Sequence, residues 1–76
     1  MKKKTYSFNE EYIIKYNIKE KNGLWRIGEE EEISVAILNP KQEKNSHQRA
    51  GESFLNKKKS LGYNDKDIKI ICITYC

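Results

Sequence analysis

This sequence predicts a small α+β domain of order β-β-α-β, and three stretches carry the prediction. Residues 12–38 read as two strands joined at Asn22-Gly23, residues 40–61 hold a helical apolar stripe, and residues 67–75 form an isoleucine-rich third strand. The 76 residues make one domain, 1–76, with the basic lead at residues 1–4 expected to be mobile. A chain of this size buries only about 60% of its unfolded surface, so the core is small.

The first strand places Tyr12, Ile14, Tyr16 and Ile18 on one face and Lys15, Asn17 and Lys19 on the other. Tyr6 and Phe8 continue the apolar face, and Glu10 interrupts it, which predicts a bend or bulge near residues 9–11. Asn-Gly between alternating runs predicts a two-residue type I′ turn, with positive φ at both central residues. Ile18 then faces Ile27, Tyr12 faces Ile33, and Phe8 faces Ile37. A slip of one residue would turn that apolar face to water.

The return arm, Leu24 to Leu38, contains an acidic run, Gly28-Glu29-Glu30-Glu31-Glu32. In this register Glu29 and Glu31 point to the apolar side, opposite Tyr16 and Ile14. Either Gly28 marks a bulge that turns the glutamates outward, or residues 28–32 are a second turn in a meander. The preferred reading is one long, irregular hairpin.

Asn39-Pro40 suits a helix N-cap and first helical position, and Asn45-Ser46 offers a second start. His47, Ala50, Gly51, Phe54, Leu55, Lys58 and Leu61 fall on one helical arc; Lys41, Asn45, Arg49, Glu52, Asn56 and Lys59 lie opposite. Gly51 on the inner arc predicts a close approach to the sheet, and Gly62 suits the helix C-terminus. The last strand has Ile68, Ile70 and Cys72 on one face and Ile71, Ile73 and Tyr75 on the other, apolar on both sides. A right-handed crossover that lays it beside the first strand gives a three-stranded antiparallel sheet of order 2-1-3 packed on one helix. In outline this resembles double-stranded RNA-binding domains and the three-stranded arm-binding domains of integrases. The chain departs from the former in lacking a leading helix and adding a terminal strand.

No apolar run reaches the ~20 residues of a membrane span. Met1-Lys2-Lys3-Lys4 is followed by a polar segment and not by a signal-type apolar region, so a cytoplasmic location and no membrane partner are expected. Cys72 and Cys76, about 13 Å apart on an extended strand, are too distant for a disulfide with each other. A single histidine, His47, and the lack of nucleophile, phosphate-loop and metal-ligand motifs argue against an enzyme and against any cofactor. The richness in lysine, isoleucine and asparagine suggests an AT-rich genome, bacterial or of a mobile element.

The net charge of +4 is segregated: residues 1–40 are balanced, and residues 41–76 hold eight basic against four acidic side chains. Such segregation points to an acidic partner. The candidate nucleic-acid-binding residues are Lys15, Lys19 and Arg26 on the open sheet face, with Lys19 opposite Arg26, and Arg49, Lys57, Lys58 and Lys59 on the helix. The leading expectation is a non-catalytic module that binds DNA or RNA through phosphate contacts. The alternative is a protein-interaction or regulatory module, self-associating or partner-bound through Ile68–Tyr75.

Overall fold

The computed structural model describes residues 7–76, so the expectations for Lys2–Lys4 and Tyr6 lie outside the described residues. Strand β1 (Phe8–Lys19) is central, flanked by β2 (Trp25–Ile37) and β3 (Ile68–Tyr75), and both neighbours run antiparallel to it. The expected 2-1-3 order holds. Two helices, α1 (Pro40–Lys44) and α2 (Ser46–Ser60), connect β2 to β3, and α2 packs across one face of the sheet.

Both helix starts read from the sequence are used. Asn39 caps α1, its Oδ1 accepting from the Gln42 amide at 2.9 Å, while Gln42 Oε1 accepts from the Leu38 amide at 2.7 Å. These reciprocal bonds satisfy donors that a helix start leaves open. The chain then re-enters a helix at Ser46 after the turn at Asn45. At the far end Gly62 has φ +97°, and the amides of Tyr63 and Gly62 return to the carbonyls of Lys58 and Lys59, each at 3.0 Å. That is a Schellman closure, which needs the left-handed conformation glycine adopts without strain.

The core lies between α2 and one sheet face: Tyr12, Ile14, Tyr16, Ile18, Ile33, Val35 and Ile37 from the hairpin, Ala50 and Phe54 from α2, and Ile68 from β3. Gly51 is the close approach expected of it, since a Cβ there would stand 3.2 Å from Ile73 Cδ1. His47 and Leu61, assigned to the inner arc, are exposed, and Ser46 is buried instead. The Ser46 hydroxyl bonds the Tyr12 hydroxyl, so the first turn of α2 is held by a polar contact. The bend expected near residues 9–11 is absent: β1 pairs in unbroken register from Phe8 to Tyr16, and Glu10 stays on the core side, half-buried.

The turn differs from the type I′ expectation. Glu20 and Leu24 close the hairpin, with the Glu20 amide bonded to the Leu24 carbonyl at 2.7 Å, so the loop is Lys21-Asn22-Gly23. Gly23 has φ +86° and no non-glycine residue among those described has positive φ. One left-handed glycine closing a three-residue loop replaces the two required by type I′. Ile18 therefore faces Arg26, not Ile27, and Lys19 faces Trp25, not Arg26.

A bulge then restores the register. Opposite Asn17, β2 carries two residues, Ile27 and Gly28; Gly28 has φ +79°, and its amide donates to Asn17 Oδ1 at 3.0 Å. Beyond it Tyr16 faces Glu29, Tyr12 faces Ile33 and Phe8 faces Ile37, as the sequence predicted. The long irregular hairpin is the arrangement found, but the bulge does not turn Glu29 and Glu31 outward. It turns Trp25 and Ile27 outward instead. A second irregularity lies in β3, where the register against β1 shifts between Lys15 and Tyr16 and leaves Ile71 as the extra residue. Ile68, Ile70, Ile73 and Tyr75 then share the helix side, correcting the two-faced apolar strand expected from strict alternation.

Candidate interaction face

Glu31 lies on the helix side of β2, and α2 meets it with lysines. Lys58 Nζ is 2.8 Å from Glu31 Oε2, and Lys57 Nζ bonds Oε1. The Lys58 ammonium also stands over three rings, 5.1 Å from the centroid of Tyr16, 5.5 Å from Phe54 and 5.8 Å from Tyr63. Burial alone would raise the Glu31 carboxyl, but hydrogen bonds from Lys57 and Lys58 outweigh it and hold the pKa below the ordinary carboxylate value. Burial likewise works to lower Lys58, and Glu31, with Tyr16 after it, more than compensates and raises it. This ion pair, with Lys58 buried and Glu31 partly so, ties the C-terminal half of α2 to the sheet.

The seven candidate cations, three expected on the open sheet face and four on the helix, meet different surroundings in the fold. Arg26 lies on the Ile18 side of the ribbon, its guanidinium bonded to Glu20 and 3.0 Å from Glu29 Oε1. Arg49 Nη1 donates to the Ala36 carbonyl. Lys57 and Lys58 face Glu31, and Lys59 Nζ is 3.3 Å from Asp65 Oδ2. Lys15 and Lys19 alone stay on the bare face, Lys15 directly opposite Glu30. The Lys19–Arg26 pair, suited to hold a phosphate between its members, is not formed.

What the fold assembles on the bare face is different. Trp25 and Ile27, two residues apart on β2, are 44% and 79% exposed, and Ile71 across the sheet is 51% exposed. Lys15, Asn17 and Lys19 run between them along β1, and Lys69 pairs with Asn17 from β3. Towards the other end the same face carries Glu11, Glu30 and Glu32, with Ser34 Oγ donating to Glu11 Oε1 at 3.0 Å. The face is thus apolar and basic near the hairpin turn and acidic further along. Among the described residues no element packs on it. The exposure of Trp25 and Ile27 was not readable from alternation, because it follows from the bulge; Gly28 was the one signal pointing to it.

Elsewhere the surface offers little chemistry. A shallow open hollow between the hairpin turn and the end of α2 is lined by Lys19, Glu20, Asn22, Leu61, Tyr63 and Asp67. Among the described residues no group of three His, Cys, Asp or Glu side chains is placed to hold a metal ion. Cys72 and Cys76 are free and exposed. No helix among the described residues is long and apolar enough to cross a membrane. The fold and face define a small α+β domain with one covered and one bare sheet face. No protein-family model matches the chain, and comparison with curated proteins and with solved structures likewise finds no match.

Proposed function

We propose that this chain is a non-catalytic protein-interaction module whose bare sheet face receives a partner. The single observation that carries this reading is the outward position of Trp25 and Ile27. A glycine-based bulge turns two large apolar side chains away from the helix side and into water. Bulges are conformationally specific features, and apolar surface rimmed by polar groups is typical of binding sites. A photo-crosslinking residue placed at Ile27 should yield discrete adducts in cells, while one at Glu43, on α1, should not. Equal labelling at the two positions, or none at Ile27, would remove the proposal.

The same face supports a second reading, binding to DNA or RNA, because Lys15, Lys19 and Lys69 lie on it near Trp25. Lysines would contact phosphates and the indole would stack on a base. Glu11, Glu30 and Glu32 on the same face work against an extended polyanion. A steep loss of oligonucleotide binding between low and moderate salt would favour this second reading over the first.

A further inference from the structure

Resting on the protein-interaction reading, the geometry points to the partner's chemistry: an amphipathic helix of another protein, apolar along one stripe and acidic at its margins, laid over the turn end of the bare face. The argument begins with how the sheet's other face is covered. There the sheet presents a glutamate among apolar residues, and α2 answers with Ala50 and Phe54 over the apolar side chains and Lys57 and Lys58 onto Glu31. The turn end of the bare face has the opposite sign. Near the turn Trp25, Ile27 and Ile71 are the apolar contacts, and Lys15, Lys19 and Lys69 are the charges among them. A helix covering this half in the manner of α2 needs carboxylates where α2 has lysines.

The dimensions suit a helix. Trp25 and Ile27 are about 7 Å apart along β2, and β2 and β3 flank β1 at about 5 Å each, so the patch is about 10 Å wide. A helix with its side chains is about 10–12 Å across. A nucleic acid is the weaker occupant: one aromatic side chain and two aliphatic ones offer little stacking, and both arginines outside residues 1–6 are engaged elsewhere. A second copy with its strands in the same direction would set lysine against lysine, and one laid in the opposite direction is the dimer that the test below would reveal.

The test uses the full chain and its single tryptophan, Trp25, as the reporter. A synthetic helical peptide with a leucine stripe and glutamate margins is titrated against it, beside the same peptide with lysine margins and a single-stranded oligothymidine. Expected is a saturable blue shift of Trp25 emission with the acidic peptide, at least ten-fold weaker with the basic peptide, and weakened about five-fold by Lys69→Glu. Equal response to both peptides, response to neither, or tighter binding of the oligonucleotide would overturn the inference. Concentration-dependent dimerisation in light scattering that Ile27→Asp abolishes would also overturn it, in favour of a second copy. Crosslinked adducts at Ile27 together with no response to the acidic peptide would refute the partner chemistry and leave the interaction reading standing.

Discussion

Lys58→Met offers the sharpest test of how this fold is held. The substitution keeps most of the aliphatic volume and removes the ammonium from Glu31 and from the rings of Tyr16, Phe54 and Tyr63. Breaking a fully buried ion pair from one side costs about 3–5 kcal/mol, because the remaining charge is left without a partner. Here Lys57 still holds the other carboxylate oxygen, so the loss is smaller. Adding one favourable ring contact of ~0.5–1 kcal/mol, we expect a net loss of about 2 kcal/mol. In a domain of this size that lowers Tm by about 8–16 °C. Urea and thermal unfolding at pH 7, followed by far-ultraviolet circular dichroism, measure it. The double variant Glu31→Leu with Lys58→Met should return to within about 1 kcal/mol of the wild type, since an apolar pair of similar volume replaces the ionic one. A loss below about 0.5 kcal/mol for Lys58→Met, or a double variant as unstable as the two singles added, would refute the reasoning.

The same pair sets a pH dependence. Glu31 is lowered in the folded chain, so its contribution is present above the ordinary carboxylate value and is lost as pH falls through the folded pKa. Lys58 is raised, so its contribution is present below the ordinary lysine value and is lost as pH rises through the folded pKa. Stability should therefore be flat between about pH 5 and 10 as far as this pair is concerned, and Glu31→Gln should shallow the acid limb of a Tm–pH profile. Gly28→Ala should cost about 1–2 kcal/mol in urea unfolding. Its φ of +79° strains any L side chain, although no atom lies within 4 Å of the added methyl. Gly51→Ala gains about 1 kcal/mol of helix propensity and crowds Ile73 Cδ1 at 3.2 Å. Paired with Ile73→Val, which removes that methyl, Gly51→Ala should be more favourable than alone, a coupling readable in a double-mutant cycle.

Much of the fold was legible because periodicity and punctuation agreed. The alternation from Tyr12 to Ile18, the Asn39-Pro40 start and the Gly62 stop are local signals, and each element formed where they stood. The bulge in β3 was not legible, since nothing in the run Ile70-Ile71-Cys72 requires an unusual backbone, and only packing on α2 decides which isoleucine is extra. The Glu31–Lys58 pair was half visible. A glutamate on the apolar face of a strand and a lysine on the inner arc of a helix are each anomalous alone, and the two anomalies answer one another. How the cations are engaged was not legible, because charge counted along the chain does not show that Arg26, Lys57, Lys58 and Lys59 are each met by a carboxylate distant in sequence or across the turn.

The hairpin's outer half pairs as though its turn had two residues, although it has three. The surplus residue in the loop is offset by the surplus residue at Gly28, so between these points the ribbon runs out of phase and beyond them it runs true. Within that short window inside and outside are exchanged. Abolishing the bulge at Gly28 without changing the length of the chain would force the tip onto the two-residue Asn22-Gly23 turn, with the indole turning under and the guanidinium of Arg26 turning out. One glycine therefore sets which chemistry the tip of this molecule offers to its surroundings.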